Sequence, residues 1–197
     1  MDIMEAIRTR RSTRAFTAEP VAKEIIEQIL EAGRVAPSGG NSQTTHFIVI
    51  AKPEILQELA TLVQTEFAKM ELSPNLYKSI QFSIQKSQQG NYVFHYNAPV
   101  LIVTANKIGY GNAMADCACA VENMMLVANA LDLGSCWINQ LHWLDENPAI
   151  HAYMTKLGLA NDETICAAVA IGKAASSDGL PNRKARIISG NPVTYVG

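Results

Sequence analysis

Over residues 112–131 the chain carries small or apolar side chains around most of the circumference of a helix, with Asp116 and Glu122 as its only charges. A helix lying on a protein surface shows one apolar stripe and one polar face, so a helix of this kind is buried centrally or covered in a dimer. The rest of the chain must supply the layers around it. With 197 residues, 48% of them hydrophobic, the chain is long enough for one domain with a real core and short for two. No repeat, low-complexity tract or composition break divides it, so residues 1–197 read as a single domain.

The flanking segments read as helices and buried strands. Asp2 can cap a short helix running towards Arg10. Pro20 precedes a second helix in which Ile25, Ile26, Ile29, Leu30 and Val35 recur at helical spacing, until Pro37 and Gly39-Gly40 end it. Residues 47–51 form a continuous apolar run rich in β-branched side chains, as in a strand covered on both faces, which leaves residues 37–43 as a loop. Pro53 opens a helix with Ile55, Leu59, Leu62, Val63, Phe67 and Met70 on one stripe, and the more polar residues 73–96 have the character of a lid. Further strands are expected at 99–104, 136–138 and 165–171, with Gly134 ending the long helix and another helix containing Ile150, Met154 and Leu157. These elements make a mixed α and β layer structure. The polar tail after Ser176 closes on residues 192–196, which have strand character and need something to pair with.

A net charge of −2 and a pI near 6.1 give no global field to hold nucleic acid or an anionic membrane. No apolar run approaches the ~20 residues that span a bilayer. Residues 1–14 are amphipathic and basic without a secretion-type apolar stretch, so a cytoplasmic location is expected. Cys117, Cys119, Cys136 and Cys166 lie in apolar surroundings with no CxxC pair, which suits buried thiols in a reducing compartment better than disulfides.

Any anion must therefore be caught locally. Arg8, Arg10, Arg11 and Arg14 near the start, with Arg183, Lys184 and Arg186 near the end, place seven of the 16 basic residues in two short stretches. Arginine presents a planar fork of donors suited to phosphate oxygens, and Ser12 adds a hydroxyl, so the two stretches can converge on one phosphate. Equally, arginines at the end of a helix can complement its dipole, at ~0.3–1 kcal/mol each, and stay solvated. The loop Ala36-Pro37-Ser38-Gly39-Gly40-Asn41-Ser42-Gln43 offers close backbone approach with amides and hydroxyls that can read a polar heterocycle, but the same residues make ordinary turns. There is no GxGxxG after a strand and no GxxxxGK[ST], which argues against a Rossmann site or a P-loop and points to a single phosphate. HExxH, GxSxG and a spaced Cys/His quartet are also missing, so metal and serine-hydrolase readings fall away. The scattered His46, His95, His142 and His151 read as structural or surface residues.

Four stretches in order, Arg10-Arg11-Ser12-Thr13-Arg14, the loop at 36–43, Gly90-Asn91-Tyr92-Val93-Phe94 and Lys184-Ala185-Arg186, resemble the nitroreductase family of FMN enzymes. The segment from Ala130 to Ile138 is similar to the end of that family's central dimer helix and the strand after it. The resemblance implies an α+β fold with a mixed, mostly antiparallel sheet, and a homodimer in which the C-terminal strand is exchanged. It also implies non-covalent FMN at the dimer interface, with NAD(P)H as reductant and a nitroaromatic, quinone or similar small molecule as acceptor, in a ping-pong cycle. By the same resemblance Arg10, Ser12, Lys184 and Arg186, with Arg11 in the same stretch, hold the phosphate. Arg14 lies near the pyrimidine edge of the flavin and Asn91 bonds its polar edge. Ser38, Gly39 and Asn41 come from the other subunit, and a backbone N–H of Asn139 or Gln140 serves flavin N5. No side chain is assigned as a catalytic acid or base, because the cofactor carries the chemistry.

Two departures bear on the acceptor. Thr44-Thr45 stands where many members have Pro-Trp after the loop's Gln, and Trp137-Ile138-Asn139-Gln140 where many have Pro-Ile-Glu-Gly. A second class of function also fits the residues, an FMN store or sensor that turns over no substrate.

Overall fold

Three antiparallel pairings build one sheet from β1 (His46–Ile50), β2 (Val100–Lys107), β3 (Gly134–Ile138) and β4 (Glu163–Gly172), in the order β1-β2-β4-β3. The coordinates are a computed structural model that describes residues 1–184 and 187–197. Seven helices surround the sheet among the described residues: α1 (Ile3–Thr9), α2 (Lys23–Arg34), α3 (Pro53–Ala68), α4 (Lys78–Gln88), α5 (Ala113–Ala130), α6 (Gln140–Trp143) and α7 (Pro148–Lys156).

The two central strands are buried along nearly their whole length because both of their faces are covered. On β2, Leu101 and Val103 point into a core with Leu59, Val63, Phe67, Phe94 and Met154. Ile102, between them, points to the opposite core with Ile26, Ile29, Val121, Met124 and Val169. This two-residue alternation feeds one layer built from α3, α4, α6 and α7 and another built from α2 and α5. Local chemistry sets the helix starts: the Asp2 carboxylate accepts from the Glu5 N–H at 2.8 Å, and Asn147 caps α7 ahead of Pro148.

Helix α5 lies on the sheet through Cys117, Ala120, Val121, Met124, Met125 and Ala128 and leaves Met114, Ala115, Cys119 and Glu122 exposed. Its all-round small and apolar character is thus only half used within one chain, and Cys119, expected among the buried thiols, is exposed. The end of α5 also differs from expectation. Asp132, not Gly134, takes the left-handed conformation at φ 61°, and the Leu133 N–H returns to the Ala128 carbonyl at 2.8 Å. Gly134 instead starts β3, where an added Cβ would sit 2.6 Å from Thr13 Oγ1. The missing side chain lets the N-terminal segment run against β3, with Ser12 bridging Ser135 in parallel and the Thr13 N–H bonding the Ser135 carbonyl at 2.9 Å.

No strand forms at 192–196 within the single chain, where Val193, Tyr195 and Val196 are exposed. Residues 73–96 contain α4, which packs on α3 and α6.

Candidate active site

The N-terminal basic stretch gathers at the start of β3. Arg10 is the C-cap residue of α1, and its side chain, 25% exposed, faces Glu122 of α5 at 3.6 Å. Burial pushes the Cys136 thiol up, against the charge of Arg14, the hydroxyl of Ser12 within reach, and the charge of Arg10. Ser12 bridges Ser135 and Arg14 lines one cleft with Cys136, so this stretch runs along the start of β3, and the charge of Arg10 is near enough to bear on Cys136. Arg11 turns back instead: its Nη1 donates to the carbonyls of Arg8 at 3.0 Å and Arg10 at 2.6 Å, the end-of-helix role. Its Nη2 is buried with no hydrogen-bond partner among the described residues.

Arg14 opens onto a cleft of about 410 Å³ whose walls carry Tyr77, Phe82, Tyr96, Trp137 and Trp143, with Asn139 and Gln140 at its base. Both base side chains are engaged elsewhere. Trp137 Nε1 donates to Asn139 Oδ1, and Gln140 Nε2 donates to Tyr92 Oη at 2.6 Å and approaches Ser83 Oγ at 3.4 Å. What these residues can offer a ligand is therefore backbone, since Asn139 and Gln140 open α6, where N–H groups lack intrahelical partners. Tyr92, whose own N–H donates to Gln64 of α3 at 2.9 Å, ties α3, α4 and α6 into one wall, and burial raises its phenol to about 12. Asn91, beside it, is exposed and does not line the cleft.

The loop after α2 is built differently. Gly40, Asn41 and Gln43 have positive φ of 59°, 54° and 51°, a run that needs outside support. Asp116, buried in the first turn of α5, provides it: its carboxylate accepts from the Gly39 N–H at 3.1 Å and from the Tyr110 hydroxyl at 3.0 Å, with the Ser42 hydroxyl at 3.5 Å. Tyr110 Oη also lies 3.0 Å from the Gly39 carbonyl. A Cβ on Gly39 would sit 2.0 Å from Asn112 Nδ2 and 2.7 Å from Tyr110 Oη. Ser38 Oγ accepts from the Gln43 N–H and Asn41 Oδ1 from the Gln43 amide, so the loop presents a fixed edge. Ser38 and Gln43 line a second cleft, with Pro37, Phe47 and Asp116, and none of residues 38–43 lines the Arg14 cleft. Asp116 and Tyr110 carry no motif; the signal for Asp116 was a charge set inside an apolar helix.

At the other terminus, Arg183 Nε donates to Asn129 Oδ1 at 3.2 Å, and its Nη2 reaches the Asn129 carbonyl and Asp132 Oδ1 at 2.7 Å. Lys184 is exposed and its backbone N–H bonds Asn182 Oδ1. Arg186 lies outside the described residues.

An antiparallel sheet covered on both faces, with a basic, aromatic-walled cleft beside its β3 edge, is an α+β arrangement of the nitroreductase type. The chain belongs to the nitroreductase family, whose model matches residues 7–173. A nitroreductase with bound FMN from Bacteroides fragilis is 32% identical and superposes with a TM-score of 0.87 over 100% of both chains. An Archaeoglobus fulgidus protein with the name NADH dehydrogenase/NAD(P)H nitroreductase is 31% identical over 137 residues, 70% of this chain and 67% of its own length. A nitrobenzene nitroreductase of Ectopseudomonas oleovorans is 26% identical over 214 residues, 94% of this chain and 91% of its own.

Proposed function

We propose that this chain is an FMN-dependent oxidoreductase that takes electrons from NAD(P)H and gives them to nitroaromatic, quinone or similar small acceptors. The observation that carries the proposal is the gathering of Arg10, Ser12 and Arg14 at the start of β3, beside a cleft walled by aromatic rings. A planar ring system ending in a single phosphate fits that donor set: cations and a hydroxyl for the dianion, apolar walls for the ring, and backbone N–H groups of Asn139 and Gln140 for its polar edge. The FMN-bound Bacteroides fragilis relative supports the same reading.

Bound FMN supplies hydride acceptance and electron donation at N5, with reductant and acceptor using one cleft in turn in a ping-pong cycle. The protein's share is binding and charge. Arg10, Ser12, Lys184 and Arg186 hold the phosphate, with Arg11 supporting the turn between them. Arg14 would set a positive charge beside the flavin's pyrimidine edge, and Asn91 would bond the ring's polar edge. The working form is a cytoplasmic homodimer in which Ser38, Gly39 and Asn41 reach the partner's flavin. Two observations support this assembly: the separate cleft lined by that loop, and the exposed Ile3, Met4, Ile7, Met114, Tyr195 and Val196. The test is optical. A yellow preparation that bleaches anaerobically with NADPH or NADH and regains its colour with a nitroaromatic or quinone supports the enzyme; a yellow protein inert to both nucleotides makes it a flavin binder only.

A further inference from the structure

One buried amide joins the two ends of the chain. Asn129, 2% exposed in the last turn of α5, uses Nδ2 to donate to the Ala6 carbonyl at 3.1 Å and to Thr9 Oγ1 at 2.9 Å. Its Oδ1 accepts from Arg183 Nε at 3.2 Å. The orientation is unique, because a carbonyl can only accept and a guanidinium can only donate. The Ala6 carbonyl also receives the Arg10 N–H at 3.0 Å, so Asn129 grips the turn that sets the backbone of Arg10. On the other side it grips the residue immediately before Lys184. Residues 120 and 54 positions away along the chain thus meet on one side chain.

We infer that Asn129 is a positioning residue for the phosphate site, setting the separation between the basic stretches at the two termini. The inference rests on the FMN reading above and adds a residue that touches no ligand itself. Aspartate cannot replace it, since a carboxylate has no donor for the Ala6 carbonyl, and alanine leaves that carbonyl, Thr9 and Arg183 without their shared partner.

A structural amide and a positioning amide differ in which ligand they affect. FMN and riboflavin share the ring and differ in the phosphate, so their affinities for apoprotein, read by flavin fluorescence quenching, separate the two roles. Asn129→Ala is expected to weaken FMN about tenfold, the loss of one net hydrogen bond's worth of alignment, and to leave riboflavin within about twofold. Equal losses for both ligands, or no loss for either, overturn the inference. Should Asn129→Ala fail to fold, Arg183→Lys, which keeps the charge but loses the fork of donors that reaches Asn129 and Asp132, decides by the same contrast. Arg10→Ala is the control for the underlying reading. If it too leaves the FMN-to-riboflavin ratio unchanged, the phosphate site itself is misplaced; if it lowers that ratio while Asn129→Ala does not, only the positioning role falls.

Discussion

The guanidinium of Arg10 sits 3.6 Å from the carboxylate of Glu122, which projects from the face of α5 not covered by the sheet. In the proposed site this carboxylate shares a cation with a phosphate dianion, and like charges so close oppose each other. Glu122→Gln should therefore tighten FMN by about threefold at low salt, the scale of one partly exposed ion pair, and the gain should shrink as ionic strength rises. Isothermal titration at two salt concentrations measures both. Weaker FMN binding in the variant would mean that Glu122 orients Arg10 more than it competes with the phosphate.

The strained loop at Gly40, Asn41 and Gln43 is held in place by Asp116. Asp116→Ala leaves the Gly39 N–H and the Tyr110 hydroxyl without their acceptor and should lower unfolding stability by about 1–3 kcal/mol, with FMN affinity falling too. Gly39→Ala should act in the same direction by pushing Tyr110 Oη and Asn112 from contact. Urea unfolding of the apoproteins gives the first effect and flavin titration the second.

Tyr92 sets an alkaline limit. Its phenol is held neutral in the fold up to about 12, whereas in the unfolded chain it ionises near 10. Between those values the folded state holds the extra proton, so stability falls as pH rises, by roughly 3 kcal/mol at most. Tyr92→Phe should be less stable near neutral pH, because Gln140 and Ser83 lose their partner, yet show a flatter decline from pH 10 to 12. Chemical denaturation across that range checks the slope.

His95 does the opposite at the acid end. It is 4% exposed, neither ring nitrogen makes a well-formed hydrogen bond among the described residues, and burial lowers its pKa below the usual 6.5 against weaker pulls from the backbone at Leu56 and Ala98. The unfolded chain takes up the proton first, so stability drops as pH falls below about 6.5. His95→Leu should lessen that acid sensitivity, read as the dependence of the thermal midpoint on pH from 7 downwards.

What the chain revealed before its structure follows from physics that acts locally. Runs such as Ile102-Val103 and Val169-Ala170-Ile171 are apolar at every position because layers cover both faces of β2 and β4, and that is visible without knowing the layers. The clustered arginines are visible too, and Arg11 bonds the carbonyls of Arg8 and Arg10 at the end of α1. Less legible was anything set by distant contacts. Asp132 took the left-handed position ahead of Gly134, which was needed instead where Thr13 crosses β3. Cys119 looked like a core residue because α5 is apolar on its open face as well. Asp116 is legible only as a charge in an apolar helix and Asn129 carries no local signal; their partners Gly39, Thr9 and Arg183 lie 77, 120 and 54 residues away, beyond the reach of any local pattern.

The proposed convergence of both termini on one flavin phosphate is tested most directly by the FMN affinity of the double variant Arg10→Ala, Lys184→Ala. Each charge-assisted contact is worth about 1.5–3 kcal/mol, so at least about a hundredfold loss of FMN binding is expected, with a folded apoprotein of unchanged circular dichroism. Wild-type flavin retention by that variant would contradict the site.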